Sequence, residues 1–261
     1  MRYALISDIH ANLPALDAVL ADIARRPDVD ATYHLGDLVG YSPWPDETVA
    51  RLRAAGIAGV AGNYDSTVAL QAAHCGCRSE NARQEELAHQ SFAWTLAHTS
   101  AASRAYLAGL PFRIDLRPLG GHAAGPTVTL LHGNQVLNTV YVFAERPDEF
   151  LRKMGATVGA RLGDVVCFGH THVPWHRTVD GVHFVNTGSV GRPKDGDWRA
   201  GYVLLDISED AVHVSIVRVE YDVESAARGV IDAGLPMEFA DFLRRGGSSS
   251  APSPDPLHSR A

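Results

Sequence analysis

The stretch that most constrains the fold is Tyr3-Ala4-Leu5-Ile6-Ser7-Asp8-Ile9-His10. Its first four residues are apolar, with an aromatic and a β-branched member, and polar residues then cut the run short. That pattern predicts a buried strand ending at a sheet edge. Asp8 and His10 are thereby presented at the strand's C-terminal end, where the crevice of an α/β protein opens while both sheet faces are covered. Residues i and i+2 of an extended chain point the same way, so one carboxylate and one imidazole can grip one ion. A single Asp-x-His carries little weight. Its recurrence in related forms carries much more.

Residues 31–35 read as a second strand running into Gly36-Asp37, and residues 57–61 as a third delivering Gly62-Asn63-Tyr64-Asp65. Residues 127–131 lead to His132-Gly133-Asn134, and residues 164–168 to Gly169-His170-Thr171-His172. Asp8, His10, Asp37, Asn63, His132, His170 and His172 thus all follow predicted strands, most of them near a glycine that permits close backbone approach. Carboxylate, imidazole and amide oxygen together suit divalent Mn, Fe, Co, Ni or Zn, and the lack of a cysteine ligand argues against a structural zinc knot.

Between these points, Leu16, Val19, Leu20 and Ile23 recur at helical spacing with Asn12 as a cap. A helix is expected over 47–55, stopped by Gly56, and another over 148–154, stopped by Gly155. Residues 79–109 read as a helical insertion covering part of the site. Residues 112–116 look like an edge strand, and Asp180-Gly181 marks a hairpin between 173–179 and 182–186. Two more antiparallel strands (202–207 and 212–219) and helices near 223–233 and 238–245 complete one domain, 1–245. Residues 246–261, rich in Gly, Ser and Pro, read as a disordered tail.

A chain of 261 residues with 46% hydrophobic content can bury a substantial core, and a net charge of −7 argues against a surface that tracks long nucleic acid. No apolar stretch approaches the ~18 residues of a membrane span, and no signal region is visible, so no membrane association and a cytoplasmic location are expected. The odd count of three cysteines suggests free thiols. His74-Cys75-Gly76-Cys77 lacks the second Cys/His pair of a zinc knot and reads as a loop.

Taken in order, Asp-x-His, Gly-Asp, Gly-Asn-x-Asp, His-Gly and Gly-His-Thr-His resemble the blocks of the calcineurin-like metallophosphoesterase superfamily. Gly188-Ser189-Val190-Gly191 and the loop from Gly36 to Tyr41 are similar to its bacterial phosphodiesterase branch. The resemblance implies an α/β (α+β) fold, a four-layer αββα sandwich of two mixed sheets flanked by helices. It also implies a dinuclear centre of two divalent transition-metal ions, manganese among the candidates. Asp8, His10, Asp37 and His172 would hold one ion, and Asp37, Asn63, His132 and His170 the other, with Asp37 bridging. A shared carboxylate offsets the repulsion of two cations about 3.5–4 Å apart.

The implied reaction is hydrolysis of a small phosphodiester, nucleotide or phosphomonoester by a metal-bridging water, with Asp37, Asn63, Tyr64 and Asp65 in the catalytic set. One departure is Tyr64, where many relatives carry a histidine that can protonate the leaving oxygen. With an ordinary pKa of ~10, tyrosine is a poorer donor at neutral pH. Tyr41 and Trp44 could stack a substrate ring, Arg192 could clamp a phosphate through its planar fork, and His122 lies in a glycine-rich loop that could reach the metals. A nuclease, or a non-catalytic scaffold of the same fold, are the alternatives.

Overall fold

The computed structural model describes residues 1–77, 81–118 and 125–247. Two five-stranded mixed sheets form its centre. In the first, the strands β1 (Arg2–Ile6), β2 (Ala31–His34), β3 (Ala58–Gly59), β9 (Ala200–Ile207) and β10 (Val212–Val219) stand in the order β10-β9-β1-β2-β3. In the second, β4 (Ile114–Leu116), β5 (Val128–Leu130), β6 (Val165–Phe168), β7 (Trp175–Val179) and β8 (Val182–Asn186) stand in the order β4-β5-β6-β8-β7. Strands β1, β2 and β3 run parallel, as do β5, β6 and β8, so their C-terminal ends collect at one edge of each sheet.

Strand alternation sorts the apolar residues into three cores. Tyr3 and Leu5 of β1, Val165 and Cys167 of β6, and Val203 and Leu205 of β9 point between the sheets. Ala4 and Ile6 turn the other way, onto α1 (Leu13–Ala24), α7 (Val223–Asp232) and α8 (Met237–Arg245). Val166 and Phe168 face outward onto α6 (Asp148–Val158). The result is the expected helix–sheet–sheet–helix sandwich.

Several elements differ from expectation for identifiable reasons. α6 runs through Gly155 and stops at Gly159, which adopts φ +79. Gly155 lies inside the helix because a Cβ there would press on the Phe184 ring at 3.2 Å, so the glycine allows close helix–sheet packing. Residues 60–62 lead from the third strand into a helix, α3 (Asn63–Ala69), which the sequence pattern did not reveal. α2 (Pro45–Ala54), α4 (Ala82–His98) and α5 (Ala101–Ala108) pack with α3 on the first sheet's outer side. Gly246, expected in the tail, closes α8 with φ +58, and its carbonyl accepts the Gly196 N–H at 2.9 Å. Cys75 and Cys77, expected as free thiols, are joined as a disulfide across Gly76, while Cys167 is free and buried. Among the described residues no helix is long and apolar enough to cross a membrane.

Candidate metal centre

Two clusters of side chains meet where the strand ends of both sheets converge. Asp8, His10 and His172 form one and Asp37, His132 and His170 the other, and all six are buried. Five of the six, Asp8, His10, Asp37, His170 and His172, adopt positive φ between 50° and 66°. Such conformations cost a non-glycine residue of order 1–3 kcal/mol each and persist only where the surroundings impose them. Here the surroundings are tight: a Cβ on Gly62 would collide with the Asp37 carboxylate, and one on Gly169 with that of Asp8. Gly62 and Gly169 are therefore required by the carboxylate of the opposite loop, whereas Gly36 and Gly133 make room for neighbouring backbone.

Three of the four imidazoles are fixed from behind by backbone carbonyls. His10 Nδ1 lies 3.1 Å from Val39 O, His132 Nδ1 2.7 Å from Leu35 O, and His172 Nδ1 2.6 Å from Arg192 O. With Nδ1–H donating to a carbonyl, the lone pair of Nε2 points into the cluster, the arrangement typical of a metal-binding histidine. The Nε2 atoms of His10 and His172 face each other at 3.1 Å, and His132 Nε2 lies 3.2 Å from both His170 Nδ1 and Asn63 Oδ1. Acceptors so close repel unless a cation lies among them. Asp8 Oδ1, 3.3 Å from His172 Nε2, is buried without a hydrogen-bond partner, which leaves a lone pair for an ion. The residues present therefore fit divalent metal ions.

Asp37 joins the clusters. Its Oδ2 lies 3.4 Å from His132 Nε2 and 3.7 Å from His10 Nε2, while its Oδ1 accepts the Tyr64 N–H at 2.9 Å. Burial pushes the Asp37 carboxyl up, but the surrounding histidines, His132 first, outweigh it and hold the group below the usual carboxylate range. Burial lowers His132 in turn, but Asp37 outweighs it and raises that imidazole to about 10, so metal binding there would displace a proton and free the Nε2 lone pair. Burial, followed by the facing His172, lowers His10 to about 3, and burial with His132 lowers His170 to about 3. These neutral imidazoles are ligands ready to coordinate.

The other sequence candidates fall in different places. Asn63 turns its oxygen to His132, and its amide N–H groups reach Cys75 O at 3.1 Å and Cys77 Sγ at 3.3 Å. Tyr64 packs its ring edge-on behind His10 at 5.7 Å, but its hydroxyl donates to Ser91 Oγ of α4 at 3.2 Å. Burial, then the neighbouring Tyr41, drives that phenol well above its ordinary pKa. Asp65 uses both carboxylate oxygens on the backbone, accepting Leu38 N–H at 2.8 Å and Gly62 N–H at 2.9 Å, so it ties two ligand loops together. Burial and the Asp37 charge raise its pKa to about 7.

Tyr41 sits edge-on to His10 at 5.0 Å, and the Arg192 guanidinium lies between the rings of Tyr41 and Phe242, 4.0 and 3.8 Å from their centroids. Trp44 instead fills the space beside Gly229 of α7, where a Cβ would collide with its ring, and so pins its loop to that helix. His122 lies outside the described residues. Sequence reading missed Tyr141 and Phe143. The Tyr141 ring stacks on His170 at 4.1 Å, and their only signal was a Tyr-Val-Phe alternation inside a long loop.

Strand-end loops carrying two histidine–carboxylate clusters around a shared aspartate define a metallohydrolase class of site. The sequence profile of the calcineurin-like phosphoesterase superfamily domain matches residues 1–210, and the chain belongs to that family. It is 30% identical over 250 residues to an uncharacterized protein, MJ0912, of Methanocaldococcus jannaschii, covering 89% of this chain and 93% of that one. A metallophosphoesterase from Sphaerobacter thermophilus matches in structure with a TM-score of 0.71 at 30% identity, covering 94% of this chain and 99% of that one. The hypothetical protein PH1004 from Pyrococcus horikoshii has a TM-score of 0.80 at 20% identity, covering 95% and 99%. α7 and α8 lie beyond the profile match, yet α8 supplies Phe242 to the Arg192 clamp.

Proposed function

We propose that this metal-dependent phosphoesterase hydrolyses small phosphate esters, whether diester, nucleotide or monoester, at a centre of two divalent ions. The observation that supports it best is the position of Asp37 Oδ2, one oxygen within 3.7 Å of a histidine from each cluster. When bound, two such ions supply Lewis acidity that activates water and neutralises phosphoryl oxygens.

The chain's own part is positioning. Asp8, His10 and His172 would hold one ion, His132, His170 and Asn63 the other, and Asp37 both. The carbonyls of Val39, Leu35 and Arg192 fix the imidazole tautomers. Arg192, kept planar between Tyr41 and Phe242, would take a phosphoryl oxygen by its fork of N–H groups. Tyr64 and Asp65 would act by supporting His10 and the ligand loops, because their polar atoms are engaged by Ser91 and by backbone N–H groups.

The test is hydrolysis of bis-aryl phosphate, aryl phosphate and nucleotide substrates by protein whose metal content has been measured, with and without added Mn. The reading expects turnover that is abolished by chelation and restored by a divalent ion. No turnover of any of these esters at two ions per chain would overturn it.

A further inference from the structure

Residues 141–143 build a feature that the metal centre does not use. Val142 is buried in the core beneath β6 and β7, and its carbonyl accepts the Trp175 Nε1–H at 3.2 Å. Its neighbours project the opposite way, as alternate residues of an extended segment do. Tyr141 stacks on His170, with ring centroids 4.1 Å apart and planes 26° apart, and Phe143 lies parallel to Tyr141 at 5.7 Å and 6°. Three rings thus run in a ladder from a metal-ligand imidazole to the surface, where Phe143 is 46% exposed.

The ladder is preformed. Arg146 donates to the Tyr141 carbonyl at 3.1 Å and packs over Phe150, so the backbone is held on both sides of the two aromatics. Tyr141 stacks on His170, and the Arg192 carbonyl accepts from Nδ1 of His172 in the neighbouring cluster, so the ring wall and the Arg192 segment both border the metal centre. A flat, rigid aromatic surface beside a phosphate-binding group suits a planar ring, because stacking is tolerant of ring identity and little ordering entropy remains to be lost.

We propose that the wall of Tyr141 and Phe143 is a subsite for a planar aromatic group of the substrate, which makes the substrate class nucleotides or aryl phosphates rather than alkyl or sugar phosphates. The proposal rests on the phosphoesterase reading above and names the part of the substrate remote from phosphorus.

Two probes isolate the ring. AMP and ribose 5-phosphate share sugar and phosphate and differ by the base, so their affinities for the metal-loaded protein are measured by calorimetry. AMP should bind about tenfold tighter, or about 1.4 kcal/mol, at the low end of a single base stack. That ratio should fall in Phe143→Ala, where only the Tyr141 ring remains, and persist in Phe143→Trp, and the exposure of Phe143 makes both variants tolerable to the fold. A ratio near one in the wild type, or an undiminished ratio in Phe143→Ala, would overturn the subsite. Hydrolysis of phenyl and 2-naphthyl phosphate, whose phenols have similar acidity, separates the two failures. Equal kcat/KM for both esters in wild type and Phe143→Ala removes the subsite alone, whereas no hydrolysis of either removes the phosphoesterase reading and the subsite with it.

Discussion

The two ligand clusters differ in what stands behind them. In the cluster of Asp8, His10 and His172, both imidazoles are fixed by main-chain carbonyls, and Asp8 Oδ2 accepts the His170 N–H at 3.0 Å. In the cluster of Asp37, His132 and His170, only His132 has such a carbonyl. His170 leans on the Tyr141 ring, its Nε2 is buried without a partner, and Asn63 is oriented by the Cys75–Cys77 segment. Supports behind a ligand tune metal affinity, so the first cluster should hold its ion more tightly. The second borrows its order from side chains and a loop.

Asp37 is where the contrast should vanish, since its Oδ2 reaches both clusters. Asp37→Ala is expected to lower metal stoichiometry at both sites and kcat/KM by about 10²- to 10³-fold or more, the scale of losing one preorganised electrostatic group. Elemental analysis beside steady-state kinetics checks this, and two ions retained at full activity would refute the shared role.

Asn63→Ala and Tyr141→Leu should sharpen the contrast by weakening one ion only. Each is expected to cost about 10- to 100-fold in affinity at the second cluster, read as a shift of the weaker phase in a chelator titration while the tighter phase stays in place. Equal shifts of both phases would mean that the clusters are not separately supported.

His34 represents a third kind of buried histidine, with both ring nitrogens buried and unpartnered and no ligand to hold. Burial lowers its pKa from 6.5 to about 3. The unfolded chain then binds the extra proton first, so the stability contributed by neutral His34 is complete above pH ~6.5 and lost as pH falls towards ~3, with a slope of up to about 1.4 kcal/mol per pH unit. His34→Leu should flatten the acid limb of melting temperature between pH 6.5 and 4.5, relative to wild type in the same chelator. Parallel limbs would show that another group carries it.

The smallest effect is expected at the disulfide. Reducing Cys75–Cys77 leaves the Cys75 carbonyl bond to Asn63 in place. Affinity at the second cluster should therefore change by less than about tenfold, below the usual cost of losing an outer support. A larger change in a chelator titration with and without reductant would make the disulfide itself the support.

Much of this was legible in the sequence because strand alternation followed by an abrupt polar residue is a strong local signal. It located the ends of β1, β2, β5 and β6 and hence the loops of six ligand candidates, with Asn63 following the shorter β3. What was not legible depends on contacts distant in sequence. Nothing local shows that Tyr64 turns its hydroxyl to Ser91, 27 residues away, or that Trp44 packs on Gly229. α3 was hidden because only residues 60–62 separate β3 from the helix and its N-cap is Gly62, which has no side chain to signal a cap. Tyr141 and Phe143 gain meaning only when His170 arrives beside them from another strand.

The most direct test of the two-cluster account is anomalous diffraction from crystals grown with Mn. The account predicts two peaks in each chain, one among Asp8 Oδ1, His10 Nε2 and His172 Nε2, the other among His132 Nε2, His170 Nδ1 and Asn63 Oδ1, with Asp37 Oδ2 in contact with both. A single peak, or peaks away from these atoms, would contradict it.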